Sequence, residues 1–312
     1  MSGAAELDLL ILGDCNPDLV LADPDLEPAF GQVERLVADA QLTIGGSGAI
    51  MACAAARLGL RTAIAAVVGD DLFGRFMIDA LDDRGVDTSA IVVDSALRTG
   101  LTVILARPAD RAILTYAGAI TALSAERVDR VLLAGARHVH VSAFFQQTAL
   151  APGLAPLLAS ARRAGKTTSL DPNWDPREEW DAGLRGLLPQ LDLLMPNAAE
   201  VCRIAGQDDP RRAAQELAEA GPVVAAKLGE QGAIAARAGQ ALTAARAPSG
   251  VATVDAVGAG DAFDAGLLAG WLSGHSIEDS LALACACGTL STRARGGTEA
   301  QPTLEEARAA VA

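Results

Sequence analysis

The sequence predicts an α/β fold built on a central, mainly parallel sheet with helices packed against it. Between about residue 60 and residue 240, short runs rich in Leu or β-branched residues alternate with Gly or Asp turns and with Ala-rich helical stretches. Such alternation is typical of parallel strands joined by crossover helices. Hydrophobic residues make up 51% of the chain, enough for a sizeable core, and no linker, repeat or low-complexity tract divides the 312 residues. We therefore expect a single domain over residues 1–312.

The predicted elements follow this alternation along the chain. Strands are expected where short apolar runs end in a turn, at residues 7–12, 62–68, 138–142, 167–171, 191–195 and 223–227. Helices are expected at residues 49–58, 72–84, 155–164, 210–220, 262–272 and 277–295. Open α/β sheets bind ligands at the carboxyl ends of their strands, so the turns that follow the strands are the places to look for a site.

Two segments break the alternation and predict a small β lid. Residues 14–44 contain three prolines, while residues 91–118 hold two strand-like runs, LTVILA and RAILTY, joined by the turn Pro108-Ala109-Asp110. Both segments lie next to motif-bearing turns, so a lid made from them would cover a ligand and exclude water. An ordinary edge hairpin is the alternative. A lid would also leave strand edges and apolar surface that a second copy of the chain would cover, so we expect a homodimer through the lid.

Charge and targeting features exclude several classes of partner. The chain carries 25 Lys and Arg against 39 Asp and Glu, a net charge of −14, and this acidity opposes nucleic-acid binding. The N-terminus has a short apolar run with no basic region before it, and no stretch of about 18 uncharged apolar residues occurs, so we expect neither a signal peptide nor a membrane span. Five scattered cysteines are typical of reduced core residues. These features favour a soluble cytoplasmic protein.

A glycine-rich turn before an apolar helix is the strongest local signal. Gly258-Ala259-Gly260 leaves backbone N–H groups unobstructed, and the helix that follows adds the positive end of its dipole, so the turn predicts a phosphate site. Asp261 lies in the first helical turn, where it would either cap the helix or accept a proton from a hydroxyl that attacks a bound phosphoryl group. The turn is neither a Walker A loop, which needs Gly-Lys-Ser/Thr, nor a dinucleotide fingerprint, whose third glycine is replaced by Phe263.

A second glycine turn opens another helix and joins the first in a family resemblance. Alone it is a weak signal, because glycine pairs before helices often serve turn geometry or tight packing. Six motifs occur in order: Gly45-Gly46 with AAARLG, VGDDLFG from Val68, Asp171-Pro172-Asn173, PNAAE from Pro196, KLGEQG from Lys227 and DAVGAGD from Asp255. In this order and spacing, over about residues 7–305, the sequence resembles the ribokinase-like (PfkB) carbohydrate kinases.

The resemblance implies both a fold and an activity. The fold would be a ribokinase-like three-layer sandwich, with a central mainly parallel sheet flanked by helices and a small β lid. The activity would be that of an ATP-dependent sugar kinase, which transfers the γ-phosphoryl group to a hydroxyl of a small carbohydrate by direct in-line attack. Asp261 matches the family's catalytic base, and Gly258, Ala259 and Gly260 match its anion hole, whose amides stabilise charge on the phosphoryl group in transfer.

The nucleotide side of the expected site draws on three further motifs. Asn197 and Glu200 match the family's Asn-x-x-Glu motif, associated with magnesium and phosphate placement, and Glu200 would hold Mg²⁺ through water. Without the other motifs, a helix cap by Asn197 would be the favoured interpretation. Lys227 and Gly229 resemble the segment near the nucleotide phosphates and ribose. Asp255 would help bind a monovalent cation such as K⁺, as in some members, or else cap or hydrogen-bond the turn.

The acceptor side depends on the N-terminal turns. Asp18 matches the carboxylate that accepts hydrogen bonds from sugar hydroxyls, and Asn16 lies beside it. The Gly45-Gly46 pair and Ser47 would complete this wall. Ser47 stands where many members carry an asparagine, and Ile50 stands where a second one often follows. The identity of the sugar stays open, because the groups that read hydroxyls set specificity.

Two other functions remain as alternatives. A nucleoside kinase of the same family would phosphorylate the same ribose-like hydroxymethyl group, and a catalytically silent sugar-binding protein would share the fold. His138 and His140 alternate along one predicted strand, but a metal site needs a third ligand and none is apparent nearby, so structural histidines are favoured. Tyr116, the only tyrosine, would pack either on the acceptor or inside the lid.

Overall fold

Two β-sheets organise the chain. The computed structural model describes residues 7–107 and 110–311. Residues 1–6, which bear on the signal-peptide prediction, and Pro108 and Ala109 of the predicted lid turn lie outside these ranges. The strands of the described part are β1 (Leu7–Leu12), β2 (Asn16–Ala22), β3 (Asp39–Gly45), β4 (Thr62–Gly69), β5 (Ile91–Asp94), β6 (Leu101–Arg107), β7 (Asp110–Tyr116), β8 (Ala136–Val141), β9 (Thr167–Leu170), β10 (Leu193–Leu194), β11 (Val223–Lys227), β12 (Ala233–Ala236) and β13 (Thr243–Ala245).

The helices occupy the connections between strands. They are α1 (Ser47–Arg57), α2 (Leu72–Asp82), α3 (Arg130–Gly135), α4 (Ala151–Arg163), α5 (Leu184–Leu187), α6 (Ala198–Ala205), α7 (Pro210–Ala218), α8 (Ala259–Leu272), α9 (Ile277–Ser291) and α10 (Leu304–Val311). Short 3₁₀ turns lie at Gly118–Thr121, Phe144–Gln146, Leu188–Gln190 and Gly229–Gln231. No helix of the described ranges is both long and apolar enough to cross a membrane.

The large sheet places the carboxyl ends of several strands at one edge, where the site lies. Its order is β13-β12-β11-β10-β9-β8-β1-β4-β5, and every neighbouring pair from β11 to β5 is parallel, while β12 and β13 run antiparallel. Strand β1 lies inside the sheet with β4 on one side and β8 on the other. Since parallel strands all end at the same edge, the turns after β1, β9 and β11 come together there.

Burial on both faces explains why the strands read as continuous apolar runs. In β1, Leu10 and Leu12 join one core cluster, while Leu9 and Ile11 join the cluster on the opposite face. Helices cover both faces of a parallel sheet, so successive side chains are all buried and the polar alternation of a half-exposed strand is lost.

Helix α8 is held close to α9 by small residues. A Cβ atom on Gly266 would lie 2.8 Å from the sulfur of Cys287, and one on Gly270 would lie 2.7 Å from Oγ of Ser280. The two helices therefore approach more closely than larger side chains would allow. This contact fixes the direction of α8, whose first turn faces the carboxyl edge of the large sheet.

The small sheet has the order β3-β2-β6-β7. Directly paired residues share a face, so Asp18 and its partners Thr43 and Thr102 line one side, while Leu19 and its partners Leu42 and Val103 line the other. Arg111 follows the face of Asp18, and its guanidinium reaches Asp255 near the start of α8. The polar face of the small sheet is therefore turned toward the large sheet.

The predicted strands and helices correspond well to the observed ones. The six predicted strands are present within two residues at each end, and the six predicted helices within four. Helix α4 begins four residues before its prediction, at Ala151, because Pro152 is tolerated in the first helical turn, where no amide bond is lost. Strand β12 was not predicted because its sequence, AIAA, has the composition of a helix.

One boundary of the predicted lid needs correction. Strand β5, which the sequence placed in the lid segment 91–118, pairs in parallel with β4 and extends the large sheet. The reason is that β4, α2 and β5 form one strand-helix-strand crossover, which returns the chain beside the strand it left. Within that segment, the small sheet takes only β6 and β7.

Asp8 ties the start of β1 to two neighbouring strands and generates a stability prediction. Its carboxylate accepts hydrogen bonds from Arg61 N and Nε at 3.0 and 2.9 Å and from Arg137 Nη1 at 3.1 Å. Asp8→Asn is expected to lower the free energy of unfolding by about 1–2 kcal/mol at neutral pH, because these bonds lose their charge. Asp70→Asn, at an exposed pair with Arg75, is the control and should change it by less than about 0.5 kcal/mol.

The pH dependence of this difference tests its origin. The hydrogen bonds from Arg61 hold the pKa of Asp8 well below its usual range. A lowered folded-state pKa stabilises the fold above the unfolded-state pKa of about 3.9, and the stabilisation is lost as the pH falls below that value. Denaturant unfolding should therefore show a constant difference between the wild type and Asp8→Asn from neutral pH to about pH 4, and a shrinking difference as the pH falls further. A difference that stays constant over this lower range as well would contradict an ionic origin.

Candidate active site

The carboxyl edge of the large sheet gathers charged residues from distant parts of the chain. Asp14 follows β1, Asp171 follows β9, and Lys227 is the last residue of β11. The N-termini of α1 and α8 face the same edge, since Ser47 in α1 contacts Asp261 in α8. The two glycine turns that the sequence singled out are therefore neighbours in space.

The first turn of α8 is built to receive an anion. Gly258 precedes the helix with φ of 73°, a left-handed conformation that favours glycine, and a Cβ atom there would lie 2.7 Å from Cα of Gly297. The amides of Gly260 and Asp261 donate to no acceptor within the described ranges. Free amides at a helix N-terminus bind anions, because the helix dipole adds to their partial positive charge. The predicted phosphate site thus has its donors available.

Asp261 does not cap its own helix. Its carboxyl Oδ1 accepts a hydrogen bond from the Ser47 hydroxyl, and the helix has no side-chain cap. Burial raises the pKa of Asp261 to about 7, and Asp171 adds to this effect, while the Ser47 hydroxyl and Lys227 act in the opposite direction. Asp261 therefore does not act as a helix cap, and its carboxyl group is available to other groups in the site.

Asp14 is a site residue that the sequence analysis did not single out. Its two carboxyl oxygens accept hydrogen bonds from the amides of Ser47 at 2.9 Å and Gly48 at 2.7 Å. It thereby caps α1 from another part of the chain. Burial raises the pKa of Asp14, and these amides oppose the shift. The available signal was a second carboxylate in GDCNPD directly after a buried strand.

Four of the predicted acceptor residues lie together at the base of the small sheet. Asn16 and Gly45 are paired across β2 and β3, and a Cβ atom on Gly45 would lie 1.9 Å from a carboxyl oxygen of Asp18. Gly46 precedes α1, next to Asn16. Asn16 Nδ2 donates to Thr102 at 3.2 Å, while its Oδ1 is buried with no donor in the described part of the chain. Burial raises the pKa of Asp18 to about 7.

Lys227 lies under the anion site and is already paired. Its ammonium donates to Asp171 at 2.7 Å and to both carboxyl oxygens of Asp264 at 3.0 and 3.1 Å. Although burial opposes the shift, Lys227 lowers the pKa of Asp171 to about 2, whereas burial raises that of Asp264 well above its usual value. A Cβ atom on Gly260 would lie 3.7 Å from the ammonium. The ammonium predicted to contact a nucleotide is thus paired with two buried carboxyl groups and lies beside the anion-binding turn.

Asn197 and Glu200 form a reciprocal helix cap at the start of α6. Asn197 Oδ1 accepts from the Glu200 amide at 2.9 Å, and the Glu200 carboxylate accepts from the Asn197 amide at 2.8 Å and from Asn197 Nδ2 at 2.6 Å. This is the capping interpretation that the sequence left open. Burial raises the pKa of Glu200 to about 7. Gly229 begins the short turn after Lys227, with φ of 60°.

Asp255 connects the phosphate turn to the small sheet. Its carboxylate accepts from the amides of Val257 and Gly296, both at 3.0 Å, which is the turn-bonding alternative to a monovalent-cation site. Arg111 of β7 approaches it at 3.5 Å. Among the described residues, no three His, Cys, Asp or Glu side chains converge in a way that would hold a metal ion.

The two strand histidines belong to a buried hydroxyl network. His138 contacts Thr167 and Ser169 at 2.7 and 2.6 Å, and His140 contacts Ser169 at 2.8 Å. Burial lowers the pKa of both rings. The structural interpretation of the histidines agrees with these contacts.

Tyr116 is exposed on the small sheet, with its ring beside Gly118.

Comparisons with known proteins relate nearly the whole chain to one family. A family model described as pfkB family carbohydrate kinase matches residues 6–304. A fructokinase of Klebsiella pneumoniae is 34% identical over 314 residues, which cover 95% of this chain and 96% of that protein. An ATP-dependent ribose-1-phosphate kinase of Halopiger xanaduensis is 30% identical over 306 residues, which cover 95% of each.

Solved structures share the same fold. An E. coli protein described as a candidate ribokinase II, in complex with ATP and Mg²⁺, has a TM-score of 0.85 at 26% identity, covering 98% of this chain and 99% of that one. The Arabidopsis thaliana ribokinase complexed with ribose and ATP has a TM-score of 0.84 at 22% identity, with the same coverage. These likenesses confirm the predicted fold, a large mainly parallel sheet flanked by helices with a small separate sheet.

The contact between Gly45 and Asp18 generates a prediction about the site. Gly45→Ala is expected to lower the free energy of unfolding by about 1–3 kcal/mol, because the new methyl group overlaps the Asp18 carboxyl group. A crystal structure of the variant should show Asp18 in another rotamer. Gly135→Ala, where a Cβ atom would meet nothing within 4 Å, is the matched control and should leave stability unchanged or higher. Equal stability of the two variants would show that Asp18 is not held against Gly45.

Proposed function

The chain belongs to the pfkB family of carbohydrate kinases, and we propose that it transfers the γ-phosphoryl group of ATP to a hydroxyl of a small sugar by direct in-line attack. The observation that carries this proposal is the first turn of α8, where the Asp261 carboxyl lies beside the free amides of Gly260 and Asp261. A base next to an anion site is what phosphoryl transfer to a hydroxyl requires.

Asp261 is proposed as the base. Its Oδ1 is engaged by Ser47, which leaves Oδ2 to receive the proton of the attacking hydroxyl. A pKa of about 7 matches a base that works near neutral pH, since the carboxylate form is available and still accepts a proton effectively. With Asp261 as base, the sugar hydroxyl itself is proposed as the nucleophile, and the transfer is a single displacement.

The anion hole is proposed to stabilise the transferring group. Gly258 sets the turn, and the Gly260 and Asp261 amides point away from their own helix, so they donate to phosphoryl oxygens without first breaking other hydrogen bonds. Amides fixed in advance stabilise developing charge more effectively than mobile water does. Ala259 supplies the intervening backbone, and Lys227 adds a buried positive charge beneath Gly260.

Glu200 is proposed to hold magnesium through water. The Glu200 carboxylate already accepts two hydrogen bonds from Asn197, and this is consistent with an outer-sphere role, because Mg²⁺ usually keeps several of its waters. When bound, Mg²⁺ would neutralise charge on the ATP phosphates. Gly229, in the short turn that follows β11, is proposed to border the nucleotide, in line with the ATP and Mg²⁺ bound by the E. coli relative.

The acceptor is proposed to lie under the small sheet, which would act as the lid. Asp18 would accept hydrogen bonds from sugar hydroxyls, and the unpartnered Oδ1 of Asn16 would accept another. The relatives include a fructokinase and a ribose-1-phosphate kinase, so the small-sugar class is favoured over nucleosides, while a nucleoside kinase remains the second candidate. A silent sugar-binding protein would have no need of the Asp261 arrangement.

Because the donor is ATP, we place the reaction in the cytoplasm.

Replacement of Asp261 tests the proposed base. Asp261→Asn should lower turnover by at least about 10³-fold, because the amide cannot accept the proton, while ATP binding stays largely intact. The measurement is ADP formation with Mg-ATP over a panel of pentoses, hexoses, keto-deoxy sugar acids, sugar phosphates and nucleosides, with ATP binding followed by calorimetry. Asp70→Asn is the control and should match the wild type. Near-normal turnover of Asp261→Asn would remove this residue from the role of base.

We further propose that two copies associate through the apolar face of the small sheet. That face carries Leu19, Leu42, Val103 and Leu114, of which Leu114 is 61% exposed. An apolar sheet face of this kind is typical of an interface between identical chains.

Sedimentation of a charged variant tests this interface. The wild type should sediment at twice the chain mass of 31.8 kDa, and Leu114→Glu should weaken association at least about tenfold, because a carboxylate would be buried against apolar surface. Leu72→Glu, which replaces an equally exposed leucine on α2, should leave the dimer intact. A wild type that stays monomeric at micromolar concentrations would exclude the dimer.

A further inference from the structure

The hydroxyl of Ser47 lies between the two halves of the site. The sequence predicted it as part of the acceptor wall, together with Gly45 and Gly46. In the structure its hydroxyl donates to Oδ1 of Asp261, 214 positions further along the chain. A residue that contacts the proposed base affects proton transfer, whereas a residue that hydrogen-bonds to the sugar affects acceptor binding.

The backbone of Ser47 is held in place by Asp14. Asp14 is buried, and its two carboxyl oxygens hold the amides of Ser47 and Gly48. A Cβ atom on Gly48 would lie 3.0 Å from the Asp14 carbonyl oxygen, so the turn is packed directly against the end of β1. The hydroxyl is therefore presented to Asp261 by a rigid turn that is anchored to the large sheet.

This contact selects one carboxyl oxygen of the base. Oδ1 of Asp261 accepts from Ser47, whereas Oδ2 has no donor in the described part of the chain. A carboxylate held at one oxygen has its rotation restricted, and its other oxygen stays free to accept a proton. Reacting groups held in orientation lower the entropic cost of a transfer step.

The surrounding charges decide how readily this carboxyl ionises. Asp171 after β9 and Asp14 after β1 raise the pKa of Asp261, in addition to burial, while Lys227 of β11 lowers it. Asp264, one turn further along α8, interacts with the same group. The Ser47 hydroxyl is the donor that reaches the carboxylate directly and favours its charged form. A hydrogen bond to an ionised group is about twice as strong as a neutral one.

We propose that Ser47 is a positioning residue of the transfer reaction, which holds Asp261 with Oδ2 free for the acceptor proton, and that Asp14 fixes Ser47 in turn. This inference rests on the proposed role of Asp261 as base. It assigns to Ser47 a contribution to turnover and to the pH dependence, in place of a contribution to acceptor affinity.

The test compares Ser47→Ala with Ser47→Thr, which retains the hydroxyl. With the acceptor found in the panel, Ser47→Ala should lower kcat about tenfold at pH 7 while KM for the acceptor changes less than about threefold. The acid limb of kcat should move to higher pH by about one unit, because the carboxylate loses a donor that favours it. Ser47→Thr should restore both. Asp14→Asn should also lower kcat, because the Ser47 turn loses an anchor, but it should move the acid limb less than Ser47→Ala does, since loss of the Asp14 charge lowers the pKa of Asp261.

Titration of the Asp261 carboxyl by NMR with ¹³C-labelled aspartate gives a readout that needs no activity. Its pKa should rise by about one unit in Ser47→Ala and stay at the wild-type value in Ser291→Ala, which removes a buried hydroxyl that donates to Gly288 instead. An unchanged titration, or a higher acceptor KM with an unchanged pH profile, would overturn the positioning role. If the positioning role fails in this way while Asp261→Asn is inactive, the proposed kinase function stands. If Asp261→Asn is active, both the proposed base and the positioning role of Ser47 are excluded.

Discussion

The buried ion pairs of Lys227 with Asp171 and Asp264 are the interaction on which the arrangement of the site depends. They join the end of β11, the end of β9 and the second turn of α8, so the helix that carries Asp261 is fixed to the sheet at a single charged centre. Removing Lys227 would cost roughly 3–5 kcal/mol, because the buried Asp171 carboxylate would keep no compensating charge. In this site the loss would also free the anion-binding turn from the strands that support it.

The fold brings two sequence-distant glycine turns into one chemical unit. The N-terminal turn places Asp14, Asp18 and Ser47, and the C-terminal turn places Asp255 and Asp261. Parallel strands make this possible, since they deliver the ends of unrelated chain segments to the same edge. A concentration of carboxyl groups follows, and burial raises the pKa of Asp14, Asp18, Glu200, Asp261 and Asp264 alike. With pKa values of about 7, Asp18, Glu200 and Asp261 are able to hold and release protons near neutral pH.

The sequence predicted the strands and turns that depend on neighbouring residues. Strand β11 and the turn at Gly258 follow from an apolar run and from glycine before a helix, and both were found at the predicted positions. Partners could not be predicted, because they depend on tertiary contacts. The pairing of Lys227 with two carboxyl groups was not predicted, and Asp14 was missed because its amide partners lie more than thirty residues away, whereas the local cap formed by Asn197 and Glu200 was among the stated alternatives. The residues that form β5 were placed in the lid segment for the same reason.

The central claim is a direct transfer from ATP to a hydroxyl activated by Asp261. The measurement that tests it most directly is the configuration at phosphorus after transfer from ATP whose γ-phosphoryl group is made chiral with oxygen isotopes, using the sugar that the panel identifies. A single in-line displacement predicts inversion. Retention would require a phosphorylated enzyme intermediate and would contradict the account.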